Sequence, residues 1–266
     1  MHLVFYKYQG TGNDFVILDN RNNHIQLDQK EIALLCHRRF GIGADGLMLL
    51  NSQDGYDFEM KYYNADGAEG SMCGNGGRCL TKFAHDMGII KEKYRFIASD
   101  GLHEAVVVEN GWVKLKMIDV NNITQLSAAC TVNTGSPHYV QQVKNLEDID
   151  VVAEGKKIRY NDEFKEKGIN VNFVEKLKEG TLYVRTYERG IEDETYSCGT
   201  GVTAAALTIS IGNDALQQTV KIKTKGGNLA VEFERTGTEN FQNIWLCGPA
   251  ELVFKGTIDL NGTAKV

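Results

Sequence analysis

The sequence is poor in proline, in long apolar runs and in paired cysteine motifs, and it has no excess of positive charge. Two prolines stand against 28 glycines in 266 residues, a ratio that calls for tight turns and for backbone that comes close to something else. No apolar run approaches the roughly 18 residues of a membrane helix, so no membrane partner is expected. The stretch 1–15 lacks a basic segment followed by a long apolar core, which argues against a secretion signal and for a cytoplasmic protein. A net charge of −6 argues against a nucleic-acid or anionic-membrane surface. With 42% apolar and 24% charged residues the chain is globular, and its length suits one large domain or two ordinary ones.

The six cysteines are Cys36, Cys73, Cys79, Cys130, Cys198 and Cys247. They include no Cys-x-x-Cys pair and no Cys/His set at zinc-ligand spacing, so no metal is expected. A chain this large builds a core without disulfides, and a reducing compartment with thiols kept for chemistry is the better reading.

Alternating or β-branched stretches occur at 3–8, 14–19, 58–63, 94–99, 102–109, 112–118, 181–187, 219–224 and 228–234. Many are separated by glycine or asparagine turns, which favours antiparallel pairing. Helices are fewer. One opens at Asp28 with Glu31 in a capping-box arrangement, carries Ile32, Leu35 and Cys36 on one face, and is expected to stop at Gly41. The chain therefore reads as a strand-rich α/β or α+β protein.

An internal repeat gives the organisation. Gly10-Thr-Gly-Asn-Asp precedes Cys73-Gly-Asn-Gly, and Asn133-Thr-Gly-Ser-Pro-His precedes Cys198-Gly-Thr-Gly. Asn13 lies 60 positions before Cys73, and Ser136 lies 62 before Cys198. Each cysteine leads a helix-like run that ends on a glycine, Gly88 or Gly212. The second run, VTAAALTISI, is apolar almost all round and is expected to be buried. Two similar halves, 1–120 and 121–266, follow, with the last strand free to return to the first half. They would set the two Cys-Gly motifs about one cleft.

A cysteine opening a helix beside glycines stands where unpaired N–H groups and the helix dipole attract a carboxylate and favour thiolate. The bland alternative is a core cysteine beside packing glycines, which accounts for one motif better than for two matched ones. Two thiols at one site suit inversion of a stereocentre next to a carboxylate, where a base takes the α-proton and an acid returns one to the opposite face. Helix N-termini aimed at the carboxylate stabilise the carbanion, so no cofactor is expected. A cysteine protease uses one thiol and leaves the second motif idle. Gly41-Ile-Gly-Ala-Asp-Gly46 matches a dinucleotide fingerprint in letters, but it follows a helix and precedes a strand, the reverse of the required order, and reads as a helix end and turn.

The ordered set GTGNDF, GIGADGL, YYNADGAEGSMCGNGGRC, GSPH, INVNFVE, YERG, SCGTG and IWLCGPAELVFKG resembles the diaminopimelate epimerase family over nearly the whole chain. The resemblance implies two pseudo-symmetric domains, each a curved, mostly antiparallel sheet or barrel around a central helix, with the active site in the cleft between them. It implies a homodimer that interconverts LL- and meso-2,6-diaminopimelate without pyridoxal phosphate, on the route to lysine and peptidoglycan. Carried over by residue, Cys73 and Cys198 form the acid–base pair and Asn13 and Glu188 lie beside the reacting centre. Backbone N–H groups of Gly74, Asn75, Gly199 and Thr200 take the α-carboxylate. Asn64, Asn170 and Arg189 grip the distal end, and His138 supports one thiol by biasing its protonation. Two departures stand out: Ser136 replaces the family's usual asparagine in that grip, and one residue is added between Arg189 and Cys198. Singly, Asn64 also reads as a turn former, His138 as a strand cap and Glu188-Arg189 as a solvated pair. The other cysteines read as small buried hydrophobes. The rivals are a proline-racemase-like isomerase of another amino acid, for which the distal grip is superfluous, and a binding protein that never exchanges an α-proton.

Overall fold

The computed structural model describes residues 1–212 and 215–260. They form two compact units, one of Met1–Leu115 with the chain from Pro249 onward, the other Lys116–Gly248.

The first unit begins β1 (His2–Gly10), β2 (Asn13–Asn20), α1 (Gln29–Cys36), β3 (Gly46–Asn51), β4 (Phe58–Asn64), α2 (Gly74–Asp86), β5 (Tyr94–Ala98), β6 (Gly101–Val107) and β7 (Trp112–Lys116). β1 and β2 form a hairpin that pairs Gly10 with Asn13. Its two turn residues, Thr11 and Gly12, lie at φ 51° and 85°. Such a turn matches strand twist, at a cost to β-branched Thr11. β2 runs parallel to β3 across α1, β3 is antiparallel to β4, and β4 runs parallel to β5 across α2. β5, β6 and β7 follow as an antiparallel meander.

Helix α1 has the expected capping box, with Asp28 accepting from the Glu31 N–H and Glu31 reaching back to the Asp28 N–H. It ends at Cys36, earlier than the sequence suggested, because His37 turns extended. The N–H groups of Ile42 and Gly43 fold back onto the Leu35 carbonyl instead. A Cβ at Gly41 would sit 1.9 Å from the Leu34 oxygen, so the glycine marks this fold-back and not the helix end.

The second unit holds β8 (Ile123–Gln125), β9 (Cys130–Asn133), β10 (Pro137–Gln142), α3 (Val151–Arg159), β11 (Asn170–Lys176), β12 (Leu182–Glu188), β13 (Asp193–Thr195), α4 (Gly199–Ile209), β14 (Gln217–Thr224), β15 (Gly227–Arg235) and β16 (Phe241–Pro249). β9 and β10 are antiparallel, and β10 runs parallel to β11 across α3. β11 and β12 are antiparallel, and β12 runs parallel to β14 across α4. β14, β15 and β16 close as a meander. Element for element this repeats the connectivity of the first unit, with β8 and β13 added. β17 (Glu251–Asp259) then pairs antiparallel with β1 in the first unit.

In each unit one helix is wrapped by strands. α2 touches β1, β2, β3, β4, β6 and β17, and α4 touches β9, β10, β11, β12, β14 and β15. α4 meets them with small side chains: Val202, Ala204, Ala205, Ala206 and Leu207 are fully buried in the unit's main core. Burying a side chain of Leu207's size contributes about 2 kcal/mol relative to exposure. α2 is less apolar, and Arg78 and Thr81 are buried within it. Thr81 donates to the Gly77 carbonyl and Arg78 to Thr11, Asn75 and the Gly74 carbonyl. α3 was not expected from the sequence. It buries only Val151 and Gly155, and a Cβ at Gly155 would lie 2.4 Å from Tyr187, so a helix-weakening residue is required there.

Candidate active site

Cys73 is the N-cap of α2 and Cys198 the N-cap of α4, at φ/ψ of −109/130° and −111/114°. The first helical bonds run from Gly77 N–H to the Cys73 carbonyl and from Val202 N–H to the Cys198 carbonyl. The N–H groups of Gly74 and Asn75, and of Gly199 and Thr200, lie ahead of those bonds at the positive helix ends. Gly201 is sterically required, since a Cβ there would come within 2.4 Å of Asn172 Oδ1, and a Cβ at Gly76 would press on Met48 Sδ at 3.2 Å.

In the first unit the hairpin turn sets Asn13 at the start of β2, and Cys73 Sγ donates to Asn13 Oδ1 at 3.5 Å. Asn75 Nδ2 reaches the same oxygen at 3.4 Å, while Arg78 holds Asn75 Oδ1 at 3.0 Å. Asn13 Nδ2 donates to Asp45 Oδ2 at 2.7 Å. Asp45 is paired with Arg38, which also bonds Asp14. Burial alone would raise Asp14, but bonds from Arg38 and Lys7 hold it down at about 2. Asp45 lies within the Gly41–Gly46 segment, which reads in sequence as a helix end and turn, and Arg38 stands three residues before it. Asn64, expected in the distal grip, is exposed at the end of β4, where its backbone closes a turn through Asn64 N–H to Ala68 O and Gly67 N–H to Asn64 O.

In the second unit parallel pairing sets His138 beside Asn170, and antiparallel pairing sets Asn172 opposite Thr186. Asn170 and Asn172 share one face of β11 because side chains alternate along a strand. His138 Nε2 lies 2.8 Å from Thr200 Oγ1, which lies 3.5 Å from Cys198 Sγ. Asn172 Nδ2 bonds His138 Nδ1 at 3.0 Å and the Tyr139 carbonyl at 3.0 Å, while Thr186 donates to Asn172 Oδ1 at 2.9 Å. Burial, with the Arg189 charge added, pushes His138 down to about 3. The imidazole is therefore neutral at ordinary pH, and any influence on Cys198 runs through hydrogen bonds and not through a positive charge. Asn172 was not singled out in the sequence. The alternation of INVNFVE, with two asparagines two positions apart, was the available signal.

Ser136, Asn170 and Arg189 come together. Asn170 donates to Ser136 Oγ at 2.9 Å and accepts the Arg189 N–H at 2.9 Å, and Arg189 Nη2 reaches Ser136 Oγ at 3.5 Å. The shorter serine thus stays inside the cluster. Glu188 is shifted up by burial, opposed by a bond from Thr195. The loop after it folds as a hairpin, β12 against β13, with Glu192 capping Gly190 N–H. Burial pushes Cys36 and Cys79 to about 12, which keeps both as thiols outside any acid–base role. Among the described residues, no three His, Cys, Asp or Glu side chains converge as a metal centre would require, and no helix is long and apolar enough to cross a membrane.

The diaminopimelate epimerase family model matches residues 5–122 and 130–253. The chain belongs to the diaminopimelate epimerase family. It is 49% identical over 260 residues to the diaminopimelate epimerase of Flavobacterium psychrophilum, covering 96% of this chain and 100% of that one. With the diaminopimelate epimerase of Chlorobaculum tepidum it shares 44% identity over 94% of this chain and 99% of that one. Among solved structures, a Bacillus anthracis phenazine biosynthesis protein of the PhzF family matches with a TM-score of 0.77 at 14% identity, covering 98% of this chain and 100% of that one. A hydroxyproline epimerase from Agrobacterium vitis, with bound trans-4-hydroxy-L-proline, matches at 0.69 and 14% identity over 100% and 95%. These two share the fold. In the diaminopimelate epimerase family, then, this chain is a mixed α/β protein of two units, mostly sheet with few helices.

The neutral His138 has a measurable consequence. Its folded value of about 3 lies below the unfolded one near 6.5, so between these limits the unfolded chain takes up a proton that the folded chain refuses. Stability should fall as pH drops through that window, by up to about 1.4 kcal/mol per pH unit from this group. Urea unfolding of the wild type and of His138→Gln between pH 7 and 4 checks this. The variant should lose that part of the slope, and equal slopes would mean that His138 is protonated when folded.

Proposed function

We propose that this protein is a cofactor-independent epimerase that interconverts LL- and meso-2,6-diaminopimelate, with Cys73 and Cys198 as the acid–base pair. The observation that carries the reading is the doubling of one device, a cysteine N-capping a strand-wrapped helix, at equivalent points of two repeated units in a member of this family.

One thiolate removes the α-proton as the C–H bond breaks, and the other thiol delivers its proton to the opposite face of the carbanion. The first sulfur ends as thiol and the second as thiolate, so the reverse reaction uses the same pair with roles exchanged. Charge developing on the α-carboxylate is met by the N–H groups of Gly74, Asn75, Gly199 and Thr200, donors fixed before the reaction begins. Glu188 holds the α-ammonium, with Asn13 alongside. Asn64, Ser136, Asn170 and Arg189 hold the distal amino-acid end, where the planar guanidinium pairs with a carboxylate. The protein works in the cytoplasm, in the synthesis of lysine and peptidoglycan precursors.

Incubation of dialysed, chelated protein with LL-diaminopimelate in heavy water should give meso product and deuterium at the α-carbon. Activity only after adding pyridoxal phosphate, or exchange in proline and not in diaminopimelate, would overturn the reading. Arg189→Lys keeps the charge but loses the fork, and misorientation of the distal end should lower kcat/KM on the order of a hundredfold, with kcat reduced as well. Unchanged kinetics would return Arg189 to the solvated surface.

The active form is a homodimer. Leu252, Val253 and Phe254 on β17 are 49%, 55% and 46% exposed, a run of apolar side chains suited to a second copy. Sedimentation should give a dimer for the wild type and a monomer for Leu252→Asp. A monomeric wild type would contradict this.

A further inference from the structure

We propose that two hydrogen-bond relays, one ending on Asp45 and the other on Asn172, hold the two sulfurs in opposite resting states, a thiol at Cys73 and a thiolate at Cys198. Asp45 and Asn172 are then positioning residues for the acid–base pair. The inference rests on the reading of Cys73 and Cys198 as that pair.

The two cysteines share the same backbone setting, each the N-cap of a helix of more than ten residues at nearly equal φ/ψ. The helix ends favour thiolate at both, so a difference comes from burial and from the side chains each sulfur meets.

At Cys73 one neighbour is Asn13, whose amide orientation is fixed from both sides. Asp45 is ion-paired with Arg38 and can only accept, so Asn13 Nδ2 faces it. Arg78 can only donate, so it takes Asn75 Oδ1 and leaves Asn75 Nδ2 to approach Asn13 Oδ1. Asn13 Oδ1 therefore faces Cys73 as an acceptor, and an acceptor at 3.5 Å favours the protonated sulfur.

At Cys198 the polarity is reversed. The Tyr139 carbonyl can only accept, which fixes Asn172 Nδ2 toward it, and Thr186 donates to Asn172 Oδ1. The same Nδ2 then donates to His138 Nδ1. A neutral imidazole with Nδ1 as acceptor carries its proton on Nε2, which must donate to Thr200 Oγ1. The Thr200 hydroxyl keeps its own proton for the Cys198 sulfur, and a donor there favours thiolate. Charged groups around the first relay are Arg38, Asp14, Asp45 and Arg78, and Arg189 acts on His138 in the second.

Burial argues for the opposite order, which makes the inference sharp. Cys198 is only 7% exposed and is the more buried of the two, and desolvation alone would favour thiol there.

The test is alkylation of substrate-free protein by iodoacetamide across pH, followed for each cysteine by peptide mass spectrometry. The midpoint, unlike the rate, does not depend on reagent access. In the wild type the midpoint of Cys198 should lie below that of Cys73. In Asp45→Asn, Arg38 keeps the amide oxygen, so the new NH2 faces Asn13 and turns its amide about. The Cys73 midpoint should fall by about one pH unit, a roughly tenfold gain in thiolate below it. Thr200→Val should raise the Cys198 midpoint by about as much, and Thr200→Ser should leave it in place. Nitrogen-15 NMR of the wild type should show His138 protonated on Nε2. A lower midpoint for Cys73, shifts of one sign in both variants, or a proton on His138 Nδ1 would overturn the proposal. Should a variant fail to fold, the wild-type order and tautomer still decide. These readouts need no substrate, so a failure to epimerise diaminopimelate would be separate from a failure of the relays.

Discussion

A helix wrapped by strands cannot leave its N-terminal N–H groups without acceptors unless something else uses them. In both units of this protein that helix end is capped by a cysteine, whose side chain is a weak partner, and is followed by glycine, which adds no bulk. Aspartate or serine would satisfy the helix better. The choice of cysteine and glycine gives up capping strength at a buried point and leaves a positive, narrow-walled spot beside a sulfur. The rest of each unit answers to this arrangement: the parallel strand–helix–strand crossover delivers the helix end, and the preceding hairpin delivers the polar residues that face the sulfur.

The repeat in connectivity makes the differences between the halves informative. α4 is alanine-rich and dry, so the polar work around Cys198 falls to neighbouring strands, through His138, Asn172 and Thr186. α2 instead carries Asn75 and Arg78 within itself and meets Asn13 from the hairpin. Two duplicated scaffolds thus surround the same backbone device with unlike hydrogen-bond partners. In the two-base reading, unlike partners bias which sulfur holds the proton at rest, while the stereoisomer bound decides which sulfur acts as base.

Much of the fold was legible because the strands alternate and the turns are marked by glycine, as in the β1–β2 hairpin at Thr11-Gly12. The two wrapped helices were legible because each runs from a Cys-Gly motif to a glycine with positive φ, Gly88 or Gly212. α3 was not, because its apolar face is little more than Val151 and its glycine obeys the Tyr187 ring and not helix propensity. Of the candidate site, Cys73 and Cys198 could be named from order and spacing, and the other expected residues from the family resemblance. Asp45 and Asn172 could not, since their roles depend on sheet register and on which end of an amide is held. His138 was expected to support one thiol by biasing its protonation, and full burial leaves it neutral, so that any such support runs through its tautomer.

The central claim is that two thiols serve opposite faces of one carbon, and stereochemistry tests it most directly. The measurement is α-deuterium uptake by each diaminopimelate stereoisomer in heavy water with Cys73→Ala and with Cys198→Ala. Each variant should lose epimerisation yet slowly exchange one isomer with retained configuration, and the two variants should prefer opposite isomers. Exchange of the same isomer by both, or epimerisation near the wild-type rate by either, would contradict the two-base account.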